Sequence, residues 1–135
     1  MEEPVAGTWE LNLDRSTFEP ATMAPRSQSR TIQVSGDHEV GRHLVVGALG
    51  TQATVEYEVT YDGTPYPFRG SADWDGLSVR RIDARTGEFT QWRGGQPTLS
   101  GRRVISDDGN TMTIVGKGTN GQGQAVNIVL VFERT

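Results

Sequence analysis

Apolar and polar residues alternate with a period of two through most of this chain. Between Thr51 and Tyr61, Val55, Tyr57, Val59 and Tyr61 fall on one face and Glu56, Glu58 and Thr60 on the other. Gly7 to Leu13 repeats the pattern, with Trp9, Leu11 and Leu13 opposite Thr8, Glu10 and Asn12. Ser29–Ser35, Val40–Ala48, Gly76–Asp83, Glu88–Arg93, Thr98–Ser106, Thr111–Lys117 and Gln124–Arg134 read as further strands. Turn signals separate them, Asp62-Gly63 being the strongest hairpin signal, with others at Gly36-Asp37-His38, Gly94-Gly95 and Asp107-Asp108-Gly109-Asn110. Pro65 and Pro67 demote the strand between them to an edge, a rim or a bulge. Asp14 to Arg26 is a connector whose prolines, Pro20 and Pro25, leave room for a turn of helix around Ser16 to Phe18 but argue against a long two-helix lid. About ten short strands with regularly spaced turns predict one all-β antiparallel domain over residues 1–135, a barrel or sandwich.

Composition fits that reading. A chain of 135 residues makes one domain. The hydrophobic share is only 34%, as expected where alternate residues of each strand meet water. A net charge of −4, with arginines spread among acids, argues against a nucleic-acid partner. The chain has no cysteine, which excludes disulfides and thiol catalysis. No apolar run reaches the length of a membrane-spanning helix. Met1-Glu2-Glu3-Pro4 lacks the basic start and apolar core of a signal peptide.

No motif points to a metal or a cofactor. Gly116-Lys117-Gly118-Thr119-Asn120-Gly121 fits G-x-G-x-x-G, but a strand follows where a dinucleotide site needs a helix. Asp73-Trp74-Asp75-Gly76 lacks the third acidic ligand and closing Glu of a calcium loop. His38 and His43 are the only histidines, too few for a zinc site without further ligands, and read as solvated loop residues. G-x-S-x-G is absent.

The tandem arginines change the picture. Arg80-Arg81 and Arg102-Arg103 each lie within a strand, so one of each pair should point inward. Leu77 and Val79 select Arg81; Leu99 and Ile105 select Arg103. A buried guanidinium needs a partner: an internal carboxylate, carbonyls, water or an anionic ligand. Tyr57, Tyr61, Trp92 and Phe132 are the aromatics that could line a cavity beside these arginines, although Trp92 lies on the face opposite Phe89 and Gln91. Tyr66 and Phe68 are placed near a rim, where a mobile aromatic could gate the mouth.

The run Gly7-Thr8-Trp9-Glu10-Leu11-Asn12 resembles the Gly-x-Trp opening of lipocalins and fatty-acid-binding proteins. With Asp14-Arg15-Ser16-x-Phe18, Arg80-Arg81-Ile82-Asp83-Ala84 and Ser100-Gly101-Arg102-Arg103-Val104-Ile105-Ser106-Asp107-Asp108-Gly109, the chain is similar to small exported bacterial lipocalin-like (calycin) proteins. The resemblance implies a single antiparallel up-and-down β-barrel of about eight to ten strands. It implies that Trp9 plugs the closed end and that Arg134 of the last strand stacks on it. It also implies an exported, periplasmic or secreted, mature form in which Met1 is an added start residue, with a cytoplasmic location left open. Fatty-acid-binding proteins clamp a carboxylate with Arg-x-Tyr in their last strand. Leu130 and Phe132 stand there instead, so that function does not carry over.

Two functions remain open at this point. One is binding of a small apolar or organic-anion ligand inside the barrel, with Arg81, Arg103, Tyr57, Tyr61, Trp92 and Phe132 as candidate contacts. The other is an enzyme on the same scaffold, an isomerase, cyclase or lyase using interior Arg, Tyr or carboxylate groups.

Overall fold

A computed structural model describes residues 3–135; Met1, read as an added start residue, lies outside the described residues. The strands are β1 (Gly7–Leu11), β2 (Thr17–Glu19), β3 (Ser27–Ser35), β4 (His38–Val46), β5 (Gln52–Thr60), β6 (Tyr66–Arg69), β7 (Gly76–Asp83), β8 (Thr86–Arg93), β9 (Gln96–Ile105), β10 (Thr111–Thr119) and β11 (Ala125–Arg134). Consecutive strands pair antiparallel from β3 to β11, and β1 bridges β3 and β11 to close the sheet. β2 continues the line of β1 along β11, placing Phe18 opposite Ile128 while Leu11 lies opposite Phe132. The result is a closed, ten-stave up-and-down barrel, the form the resemblance implies and one of the two that the alternation allows.

The connector from Asn12 to Arg26 departs from the expectation. Its helical content is two 3-10 turns, Leu13–Arg15 and Ala21–Met23, and the stretch around Ser16 to Phe18, where a turn of helix had room, runs into β2 instead. The Asn12 side chain caps the first turn by accepting from the Arg15 N–H at 3.2 Å, which ends β1 at Leu11. Leu13 therefore leaves the face of Trp9 and is 40% exposed. Gly63, with φ of 76°, makes the β5–β6 turn together with Asp62, whose carboxylate accepts from the Thr64 N–H.

One end of the barrel is closed by Trp9. The indole is fully buried against Phe132, Ile32, Met112 and Ile105 and donates to the Val5 carbonyl at 2.9 Å. Arg134 lies opposite Trp9 in the β1–β11 register, its guanidinium 4.2 Å from the ring. It donates to the carbonyls of Pro4, Ala6 and Gly109, tying both termini and the β9–β10 turn together. The opposite end carries the connector and the β4–β5, β6–β7, β8–β9 and β10–β11 loops. Cross-links there are polar: Trp74 donates to the Thr119 carbonyl, Gly121 N–H to Asp73, and Arg93 to the Ala72 carbonyl.

β4 inverts the usual assignment of faces. Its inward residues are Glu39, Gly41 and His43, all buried, while Arg42 and Leu44 face out, Leu44 being 50% exposed. Gly41 is required because the Tyr57 ring lies flat over it, in the space a Cβ would occupy.

Candidate functional site

Between the Trp9 plug and the loop end lies a cavity of about 250 Å³. Its walls are apolar along most of their length, with Val55, Leu77, Phe89, Leu99, Ile114 and Leu130 contributed by six strands. Phe18, Met23, Pro25 and Trp74 surround it at the loop end, together with Ser71 and Asp73. Phe18 and Met23 are there because β2 and the second 3-10 turn fold back over the β3 side of the barrel. Toward the plug the lining turns polar, with Arg30, His43, Tyr57 and Arg103, while Gln28 and Gln91 lie nearer the loop end, beside Val45 and Leu77 in the register.

The fixed point of this polar end is Glu39, fully buried behind the cavity wall. Arg103 grips it in a bidentate pair, Nη1 to Oε2 at 3.0 Å and Nη2 to Oε1 at 2.8 Å. The Tyr57 hydroxyl donates to Oε2 at 2.5 Å and the Tyr61 hydroxyl to Oε1 at 2.6 Å. Burial disfavours the carboxylate, but the Arg103 charge and the hydrogen bonds from Arg103, Tyr57 and Tyr61 outweigh it and hold its pKa down at about 2. Burial likewise works against the Arg103 charge, and Glu39 overrides it, so that pKa is raised. Burial and the neighbouring Glu39 carboxylate push the Tyr57 hydroxyl well up and Tyr61 up to about 12. At neutral pH the cluster is one ion pair with two neutral phenols, and each carboxylate oxygen accepts two donors.

Two cavity groups stand outside this cluster. Arg30 of β3 is half-buried; its Nε donates to Gln28 Oε1 at 2.6 Å and its guanidinium lies 4.5 Å over the Phe132 ring. Burial, together with repulsion from Arg103, lowers its pKa to about 10, so it remains charged at neutral pH. His43 is 6% exposed, packed edge-on against Tyr57 and Phe68, and its Nε2 has no hydrogen-bond partner. Burial, then the charges of Arg30 and Arg103, drive its pKa well below 6.5, so the imidazole is neutral.

The residues singled out from the sequence scatter. Arg103 and Tyr57 line the cavity. Tyr61 shares Glu39 with them but lies outside the lining, toward the closed end. Arg81 also lies at the closed end, paired with Glu3 at 3.1 Å and stacked 4.6 Å over the Tyr61 ring. It meets Arg103 only around a space of about 20 Å³ at the closed end and not in the large cavity, because β7 carries its inward row past that cavity before reaching Arg81. Trp92 is on the outer surface, donating to Ser78 Oγ at 2.9 Å, because the inward residues of β8 are Phe89 and Gln91. Phe132 is fully buried in the plug cluster beneath Arg30 rather than in the cavity lining. Phe68 does not gate a rim: it is 7% exposed and stacked on Tyr57, while Tyr66 bonds Asp62 near the closed end.

His43 corrects the reading of both histidines as solvated: only His38 is exposed, 3.5 Å from Glu58. Glu39, His43 and Arg30 were not among the residues singled out. In β4 the apolar Val40 and Leu44 face out, so alternation misplaces Glu39 and His43, whereas Arg30 shares the apolar face of Ile32 and Val34 in β3 and was legible by the same rule that selected Arg103. The legible signal was Gly41, a residue without a side chain on the same face as Glu39 and His43.

Comparison with solved structures supports the architecture. The chain is similar to zebrafish ileal bile acid-binding protein, determined in complex with cholic acid, with a TM-score of 0.54 and 14% identity. The match covers 98% of this chain and 99% of that one and is a likeness of fold. No protein-family model matches the chain, and no curated protein is significantly similar to it in sequence.

Proposed function

We propose that this barrel binds one small, largely apolar organic molecule in its interior. The observation that carries the reading is the cavity itself: about 250 Å³ of space, walled by aliphatic and aromatic side chains and bounded at its inner end by a few polar groups. Ligand pockets combine an apolar surface that drives burial with a few polar groups that orient the ligand. The volume lies below the roughly 300–1,000 Å³ usual for such pockets, which favours a one- or two-ring molecule. The structural likeness to a protein that holds cholic acid supports the use of a closed barrel for this purpose.

An enzyme built on the interior carboxylate is the weaker reading. Glu39 is saturated by a bidentate guanidinium and two phenols, and its low pKa makes it a poor proton acceptor. The cluster is better suited to bracing β4, β5 and β9 around the cavity.

The test is titration with N-phenyl-1-naphthylamine, a neutral two-ring probe that fluoresces in apolar surroundings. Single-site saturation is expected in the wild type and its loss in Ile128→Trp, which fills the cavity beside Phe18. A wild type that does not saturate, or an Ile128→Trp variant that binds equally well, overturns the reading.

A further inference from the structure

We infer that the cavity takes an organic anion, a small apolar monocarboxylate, with its carboxylate seated on Arg30 and its apolar body pointing toward Phe18 and Trp74. The inference rests on the cavity-binding reading above and adds the chemistry of the ligand's head group.

Of the two guanidiniums in the lining, Arg103 alone is neutralised among the described residues. Arg30 has no carboxylate within salt-bridge distance among the described residues. Among the described residues its side-chain hydrogen bond runs from Nε to the neutral amide of Gln28, and Nη1 and Nη2 have no partner there. Stacking on Phe132 fixes the plane of the guanidinium and leaves the fork of two terminal nitrogens available. That fork matches the two oxygens of a carboxylate. A cation held in a largely apolar cavity, without an internal counterion, attracts an anion far more strongly than an exposed arginine does.

The neighbouring groups agree. His43 is a neutral imidazole in the same lining, with a buried ring nitrogen that lacks a partner. Tyr57 is a neutral phenol that donates to Glu39, and the Glu39 carboxylate is bound to Arg103, whose repulsion of Arg30 exceeds the attraction of Glu39 for it. The remaining carboxylate of the lining is Asp73, in the β6–β7 loop at the opposite end, where it accepts from the Gly121 N–H. A carboxylate ligand is thus repelled at the loop end and attracted at the plug end, which sets its orientation.

The experiment compares a matched pair, 1-naphthylacetate and 1-naphthylacetamide, each displacing N-phenyl-1-naphthylamine from the wild type, Arg30→Met and Arg30→Lys. The wild type should prefer the acid by on the order of ten- to a hundred-fold, the worth of a hydrogen-bonded charge pair. Arg30→Met should bring the ratio close to one, the ratio being read within each variant so that any change in affinity for the neutral probe cancels. Arg30→Lys, which keeps the charge and loses the fork, should fall between. Equal affinities for acid and amide in the wild type overturn the anion site with no variant needed, as does an unchanged ratio in either variant that retains probe binding. Failure of the wild type to bind the neutral probe at all would instead overturn the underlying cavity reading.

Discussion

Replacing Glu39 with Gln removes one negative charge from the most enclosed polar cluster in the barrel and leaves the side-chain shape nearly intact. Arg103 then keeps its charge with no carboxylate to compensate it, its side chain being only 14% exposed. Breaking a buried ion pair from one side costs about 3–5 kcal/mol. An independent route gives a similar figure. The Glu39 pKa falls from an ordinary 4.5 to about 2 on folding, which corresponds to about 3 kcal/mol of stability. Because the folded-state pKa is the lower one, that stability is fully present above pH 4.5 and is lost as the pH falls through 2. Urea denaturation of the wild type and Glu39→Gln should therefore differ by about 3 kcal/mol or more at pH 7, with the gap narrowing as the pH falls from 4.5 toward 2. The double variant Glu39→Gln, Arg103→Met should recover much of the loss, since removing both charges also removes the unpaired one. A Glu39→Gln protein within about 1 kcal/mol of the wild type at pH 7, or a gap independent of pH, would refute the reasoning.

Trp9→Ala should destabilise by about 3–5 kcal/mol in the same assay, because a fully buried indole leaves a cavity under Phe132 and Met112; an unchanged denaturation midpoint would remove Trp9 from the role of plug. The His43 ring, followed by NMR, should stay neutral as the pH is lowered from 8 through 6.5, and Arg30→Met should move its pKa part of the way back toward 6.5. Its folded-state pKa being the lower one, His43 contributes stability above pH 6.5 that is lost as the pH falls further, and a wild-type midpoint at 6.5 would contradict its burial.

The strands were legible because alternation records which face of a strand is buried, and in β5, β10 and β11 the buried residues are apolar. Tyr57 and Val59 of β5, Ile114 of β10 and Phe132 of β11 fall on the inner face as their period requires. The Asp62-Gly63 turn was also readable, since local chemistry decides it. The same logic misplaces the polar interior. In β4 the apolar Val40 and Leu44 lie on the opposite face from Glu39 and His43, so hydrophobicity alone points the wrong way. What reverses it is the ion pair between Glu39 and Arg103, 64 residues apart in the chain and joined across the barrel interior. No local pattern encodes that pairing, because burial of each charge is tolerable only with the other in place. Arg81 and Arg103 look equivalent as members of tandem arginines, yet closure of the sheet puts one at the plugged end beside Glu3 and the other against the cavity. The sequence by itself determined the strands, the turns and the apolar row along most inner faces, since these depend on neighbours a few residues away. Which arginine is neutralised and which is left facing empty space was decided by tertiary structure alone, because it depends on how far along the barrel each inward row reaches and on what the strands across it supply.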